Sequence, residues 1–150
     1  MKIFLLVVTI LLLINRIKTT PQQLSEKLYK EKLQVALDGL KTQKIDGVSD
    51  EDMKSLMQGA FNIILFFATL FMLAYYAIVV GRFPDNTMML VLSVAQIVTV
   101  ILTYRMNSSV KIVDANIDDN NHKFRRWYFL FNIILDYVYY PFAIYMLFTN

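Results

Sequence analysis

Apolar residues gather into long uninterrupted segments instead of alternating with polar residues at a short period. Residues 55–81 and 86–104 carry no charge, and from Trp127 to the last residue the single charged position is Asp136. An apolar segment of about 18 or more residues is typical of a membrane-spanning helix. The pattern therefore predicts an all-α, polytopic membrane protein with four transmembrane helices and an amphipathic helix at the inner face.

The four predicted spans differ in length. Residues 57–80, 87–104 and 127–148 would reach roughly 36, 27 and 33 Å as helices, against a hydrocarbon core of about 30 Å. Residues 3–14 would reach only about 18 Å, which makes the first span the weakest. The resulting division is a short first segment (1–17), an inner helical connection (18–56), a transmembrane hairpin (57–104), an inner polar loop (105–126) and a fourth transmembrane helix (127–150).

Basic residues indicate the orientation of these spans. Of the 15 Lys and Arg residues, all but Lys2 and Arg82 fall within 15–56 or 105–126. Because connections on the inner side are enriched in Lys and Arg, we expect both termini outside, in a bacterial plasma membrane or an organelle inner membrane. The first apolar run, which ends in Ile14-Asn15-Arg16, lacks a small-x-small cleavage site, so we expect it to be retained rather than removed as a signal peptide.

The first connection predicts two helices. Thr20 is a suitable cap with Pro21 at the first helical position, and the helix that follows, to about residue 45, has a narrow polar stripe and a broad apolar arc. Such a helix packs against its own bundle, the membrane surface or a partner. Ser49, followed by acidic residues, is expected to cap a second helix that enters the membrane as one rod from Asp50 to Val80.

The second connection resembles a calcium loop at its start but lacks two required residues. Asp114 opens a D-x-N-x-D pattern, yet Asp119 stands where glycine is needed and Arg125 where a bidentate glutamate belongs. We therefore expect a solvated loop without a metal. Arg125, Arg126 and Trp127 are expected to anchor the fourth span at the membrane interface, because cations and aromatic residues favour that depth.

Composition excludes several chemistries. With 57% hydrophobic and 18% charged residues, the chain departs from the roughly 45–50% and 25% of soluble domains. There is no cysteine and one histidine, which excludes disulfides, thiol nucleophiles and multi-histidine metal sites within the chain. The basic excess follows from topology, so no nucleic-acid partner is expected. Without a nucleotide loop or catalytic motif, we expect neither an enzyme nor a cofactor.

Polar residues inside the spans are the candidate functional site. Asp136 lies near the midplane, where insertion costs about 2.5–3.5 kcal/mol. No Lys or Arg lies at that depth in the predicted spans, so we expect no ion pair within the chain. Gln96, at a similar depth, and Thr69, in the middle of the second span, are expected hydrogen-bond partners. Asn132 and Tyr140 share a helix face with Asp136 because they lie four residues to either side.

Three functions remain open on these grounds. The leading hypothesis is a non-catalytic accessory subunit of a multi-subunit membrane complex, whose partners are the lipid bilayer and other membrane subunits. The alternative is a small oligomeric pore or a proton- or cation-coupled channel that uses Asp136. The third is an inner-face binding or insertion factor acting through residues 21–55. The order of outer N-terminus, span, inner helices and hairpin resembles the membrane protein insertases in topology, although the fourth span departs from that order.

Overall fold

The described part of the chain is built from four long helices. The computed structural model describes residues 1–29, 31, 35, 49–108 and 126–149. Its helices are α1 (Lys2–Leu24), α2 (Asp50–Arg82), α3 (Thr87–Ser108) and α4 (Arg126–Thr149). Each is long and apolar enough to cross a membrane, which confirms the four helices and indicates a membrane location. Most of the predicted amphipathic helix and nearly all of the second connection lie outside the described residues, although residues 26–29, 31 and 35 are helical.

Helix α1 is longer than the sequence predicts. Its 23 residues reach roughly 34 Å, so the helix extends beyond the predicted first span at both ends. The predicted break at Thr20 is wrong, because Pro21 lies inside α1 and the chain becomes extended only at Ser25. The Thr20 hydroxyl donates to the carbonyl of Arg16 (2.8 Å), which adds a hydrogen bond to the turn before the proline. Helix α1 therefore continues well past the charged residue at which the predicted span ends.

Helix α2 is one continuous rod, as predicted. The Ser49 hydroxyl accepts from the backbone amide of Asp52 (3.2 Å) and donates to its carboxylate (2.6 Å), which forms the expected cap. At 33 residues, α2 is roughly 50 Å long and exceeds the hydrocarbon thickness of a bilayer. Its first turns therefore extend beyond the membrane.

A short turn joins α2 to α3. Helix α2 runs through Arg82, and the Asn86 side chain caps α3 by accepting from the amide of Met89 (2.8 Å). The amide of Asn86 also donates to the carbonyl of Phe83 (3.1 Å), which closes the turn. The predicted antiparallel hairpin is thereby confirmed.

Packing is concentrated in one half of the bundle. Helix α1 packs along α4, α2 packs along α3, and α3 also contacts α4. We name residues 2–13, 72–83, 87–97 and 137–149 the closed half, and residues 14–24, 50–71, 98–108 and 126–136 the open half. The core cluster of buried apolar side chains lies entirely in the closed half: Leu5, Tyr75, Tyr76, Val79, Phe83, Met89, Tyr139, Tyr140, Ala143 and Leu147.

The open half is packed more loosely. None of the described α2 side chains before Tyr75 is buried, and large apolar residues such as Ile64 (68% exposed) and Phe67 (64% exposed) lie on its surface. In this half the buried residues are Arg16, Thr99, Ile133 and Asp136. Helix α2 thus has buried side chains in the closed half, whereas none of its described side chains is buried in the open half.

Candidate functional site

Asp136 lies at the boundary between the two halves and forms an ion pair within the chain. Its Oδ2 atom is 2.7 Å from Nε of Arg16, and the two side chains are only 11% and 9% exposed. The expectation that no cationic residue of the same chain could reach Asp136 is therefore wrong. A buried carboxylate and a buried guanidinium compensate each other's charge, which lowers the cost of placing either one in the bilayer.

The register between α1 and α4 explains how Arg16 reaches this depth. The Thr20 hydroxyl lies 3.4 Å from the hydroxyl of Tyr137, one residue beyond Asp136. Because α1 continues for eight residues past Arg16, that residue is not at the end of the helix but well inside the bundle. The signal in the sequence was a single arginine that interrupts an apolar run, together with a single acid that interrupts another. Burying either charge alone would cost free energy, and the pairing of the two charges lowers that cost.

Arg16 makes one further polar contact and has two nitrogen atoms without a hydrogen-bond partner in the described part of the chain. Its Nη1 atom donates to Oε1 of Gln23 (2.6 Å). The two side chains meet because they lie on the same face of α1, two helical turns apart. The Nε atom faces the carboxylate at contact distance without forming a directed hydrogen bond, and Nη2 is buried without a hydrogen-bond partner in the described part of the chain. The interaction with Asp136 is therefore mainly a charge contact.

Gln96 connects the ion pair to the closed half. Its Nε2 atom donates to Oδ1 of Asp136 (2.7 Å), which is the hydrogen bond that the depth of the two residues predicts. Its Oε1 atom accepts from the hydroxyl of Tyr76 (3.3 Å), and that hydroxyl also contacts the hydroxyl of Tyr140 (3.1 Å). The structure thus joins Gln96, Asp136 and Tyr140 in one polar network.

Two other candidates lie near this network without bonding to Asp136. The Thr69 hydroxyl donates to the carbonyl of Leu65 within α2 (2.7 Å), so it does not reach the carboxylate. Asn132 lies on the wall of the groove described below. At the start of α4, Arg126 is exposed and Trp127 is 85% exposed, whereas Arg125 lies outside the described residues.

Sequence reasoning identified Tyr140 but missed the tyrosine cluster to which it belongs, which we define as Tyr75, Tyr76, Tyr139 and Tyr140. Rings of Tyr76 and Tyr139 meet edge to face at 5.1 Å between centroids, and Tyr75 and Tyr139 at 6.5 Å. The Tyr75 hydroxyl contacts that of Thr9 on α1 (2.7 Å), so the cluster links α1, α2 and α4. Its signal was the Tyr-Tyr pair that occurs in two different spans. These rings fill the closed half.

A groove opens beside Asp136 in the direction of the open half. It has a volume of about 230 Å³ and is lined by residues within 65–76 of α2, 96–104 of α3 and 132–140 of α4. At 1.5 Å per residue, these segments run roughly 12–17 Å along the helices, which is two to three turns. Ala68, Thr69, Thr99 and Thr103 provide small side chains on its wall, and Gln96 and Asp136 lie at its base.

Where the chain leaves α1, aromatic contacts continue the packing of α1 against α4. Tyr29 lies 5.7 Å from Phe129 between ring centroids. Burial raises the pKa of the Tyr29 hydroxyl above its ordinary value of 10.0, because the charged phenolate would lose its hydration. This contact extends the register that places Arg16 beside Asp136.

Metal chemistry and relationships to known proteins add no further site. Among the described residues, no group of three or more His, Cys, Asp or Glu side chains is placed to hold a metal ion. Comparison with protein-family models, with curated proteins and with solved structures gives no match. The candidate site therefore rests on its own geometry, namely the ion pair, the polar network and the groove.

Proposed function

We propose that this protein is a non-catalytic subunit of a membrane protein complex and that its groove accommodates a transmembrane helix of a partner subunit. The observation that carries the proposal is the groove itself, which is two to three helical turns long and is lined by α2, α3 and α4 beside polar groups. A groove of this length among three helices matches the contact that one further helix makes.

The side chains on the wall of the groove support a helix as the occupant. Ala68, Thr69, Thr99 and Thr103 are small, and small residues let two transmembrane helices approach closely. Polar side chains at the base supply interhelical hydrogen bonds, which stabilise helix association in lipid by about 0.6 kcal/mol each on average. The ion pair between Arg16 and Asp136 gives the groove a fixed base without requiring a charged partner.

The proposal is tested by filling the groove. Ala68→Trp places a large side chain on its wall, while Ala77→Trp places the same side chain on an exposed position of the same helix outside the groove. The tagged protein, solubilised in mild detergent from its native membrane, should elute as a stoichiometric complex. We expect Ala68→Trp to release the partner and Ala77→Trp to retain it. Elution of the unaltered protein as a monomer would contradict the proposal.

We also propose an orientation in which the open half faces the inner compartment. Exposed basic residues of the open half include Lys18, Arg105 and Arg126, whereas Lys2 and Arg82 lie in the closed half. The positive-inside bias then places both termini outside, in a bacterial plasma membrane or an organelle inner membrane.

Because the chain has no cysteine, single introduced cysteines can test this orientation without removing a native thiol. A membrane-impermeant maleimide added to sealed cells or organelles should label Asp85→Cys in the turn between α2 and α3. It should label Ser108→Cys, at the end of α3, only after permeabilisation. The reverse pattern would show the opposite orientation.

A second candidate is a proton- or cation-conducting path, which is favoured by the polar groups that the groove brings to Asp136. Such a path would have to pass the tyrosine cluster in the closed half, where Tyr76 and Tyr139 are at most 1% exposed. Purified protein in liposomes with a pH-sensitive dye would then show proton uptake that Asn132→Leu slows. A background rate for the unaltered protein would exclude this candidate.

A further inference from the structure

Except for Tyr104, the hydroxyl groups along the groove donate their protons within the protein and keep lone pairs. The Thr69 hydroxyl donates to the carbonyl of Leu65 (2.7 Å). The Thr99 hydroxyl donates to the carbonyl of Gln96 (2.8 Å). A hydroxyl has one proton and two lone pairs, so each of these oxygen atoms can still accept a hydrogen bond but cannot donate another.

The hydroxyl protons of Tyr76 and Tyr140, at the end of the groove, can be assigned in the same way. Tyr76 donates its proton to Oε1 of Gln96, which has no proton of its own to offer. In the contact between Tyr76 and Tyr140, the proton must therefore come from Tyr140. The Tyr140 oxygen is left as an acceptor on the wall of the groove.

Asp136 adds further acceptor capacity but no uncompensated charge. Its Oδ1 atom accepts from Gln96 and its Oδ2 atom lies against Arg16, whereas an ionised carboxylate offers about four lone-pair positions. Asp136 is the one charged residue among the described residues that line the groove, and Arg16 balances it from the other side. The groove is thus close to neutral, and its acceptors outnumber the donors that Asn132 and Tyr104 supply.

We infer that the partner helix in this groove carries an uncharged hydrogen-bond donor, such as Asn, Gln, Ser or Thr, at the level of Asp136. This inference rests on the proposed function and specifies the partner's chemistry. A donor would satisfy oxygen atoms that the protein itself leaves free. A Lys or Arg would lose its hydration without an uncompensated anion to meet it, and an Asp or Glu would face acceptors of its own kind.

The test uses synthetic transmembrane peptides and the intact protein. Four polyleucine peptides differ only in a central Asn, Leu, Lys or Asp residue and carry a donor fluorophore. The protein, labelled at Ser108→Cys with an acceptor fluorophore, is reconstituted with each peptide in phosphatidylcholine vesicles, and energy transfer is titrated. We expect the Asn peptide to bind about three- to tenfold more tightly than the Leu peptide, and the Lys and Asp peptides to bind more weakly than Asn.

Two threonine variants separate recognition from folding. Thr69→Val removes a groove acceptor while keeping the shape of the side chain, and Thr87→Val makes the same change at an exposed position outside the groove. Thr69→Val should reduce the preference for the Asn peptide over the Leu peptide by about two- to threefold. Thr87→Val should leave both affinities unchanged.

Equal affinities for the Asn and Leu peptides, or a preference for Lys or Asp, would overturn the inference. If Ala68→Trp also released the native partner, the proposed function would stand while the donor assignment failed. If no peptide bound and Ala68→Trp retained the native complex, both would fail. Mass spectrometry that found a small amphiphile bound to the unaltered protein and absent from Ala68→Trp, with no peptide bound, would assign the groove to that ligand instead.

Discussion

The closed and open halves of the bundle are held together by different interactions. In the closed half, interlocking tyrosine rings and aliphatic side chains fill the space between four helices. In the open half, α1 is joined to α4 through the ion pair of Arg16 with Asp136, and α2 has no buried side chain among its described residues there. The first arrangement fixes the positions of the helices, and the second leaves a groove on one side of the bundle.

This difference shows how a small helical bundle can be packed at one end and still leave a groove at the other. Apolar side chains gain little from leaving lipid, so helix packing depends on close contact and on polar interactions. The closed half supplies close contact, whereas the ion pair lies beside the groove. Each of the following changes affects one half more than the other.

Removing the arginine should have the largest effect. Arg16→Met leaves the buried Asp136 without its counter-ion and should lower the free energy of unfolding by about 3–5 kcal/mol. Lys18→Met, at an exposed position two residues later, should change it by less than about 0.5 kcal/mol. The measurement is reversible unfolding in mixed micelles, followed by circular dichroism. The double variant Arg16→Met/Asp136→Leu should recover most of the loss, and equal losses for Arg16→Met and Lys18→Met would contradict the role of the ion pair.

Truncating the tyrosine cluster should have the next largest effect. Tyr139→Ala removes a fully buried ring from the closed half and should lower the free energy of unfolding by about 3 kcal/mol, at the low end for a buried aromatic residue. Tyr137→Ala, on the same helix but 39% exposed, should cost less than about 1 kcal/mol. The same unfolding assay compares the two, and a similar loss for both would show that the closed half is not the tightly packed one.

Removing the helix cap should have a smaller, local effect. Ser49→Ala deletes the hydroxyl that accepts from the amide of Asp52 and should cost about 1 kcal/mol of stability at the start of α2. Hydrogen exchange should speed up over the first turn of α2 and remain unchanged at Tyr75 and Tyr76. Faster exchange throughout α2 would indicate that the two halves unfold together rather than separately.

Removing one hydroxyl from the network should have the smallest effect. Tyr76→Phe keeps the ring but removes the hydrogen bond to Gln96, and should cost about 0.6 kcal/mol in the unfolding assay. Tyr145→Phe, at a position that is 62% exposed, is the matched control and should be neutral. A loss as large as that of Tyr139→Ala would mean that the hydroxyl, rather than the packed ring, holds the closed half together.

Most of the fold follows from local features of the sequence. Apolar length predicts the four helices, and Ser49 predicts where α2 begins, because a cap satisfies backbone amides within one turn. The end of α1 was predicted wrongly because it depends on contacts between residues far apart in the sequence. Pro21 and the charge of Arg16 suggested a boundary, but contacts of α1 with α4, far apart in sequence, keep that segment helical.

The candidate site could be predicted only in part. Counting residues along the third and fourth predicted spans places Gln96 and Asp136 at a similar depth, and this similarity predicts their hydrogen bond. Depth did not reveal Arg16, because the count assumed that a cation ends a span, whereas a paired cation can remain inside. Thr69 lies at the expected depth but on the wall of the groove, since helix rotation depends on the neighbouring helices.

The amino-acid sequence alone determined the membrane location, the number of helices and the acid that needs a partner inside the bilayer. These properties depend on segment length and on the cost of burying charge, which are local and additive. Only the tertiary structure decided which residue pairs with that acid, which half of the bundle closes and where the groove lies. They depend on the register and rotation of helices against one another, which many weak contacts between distant residues set together.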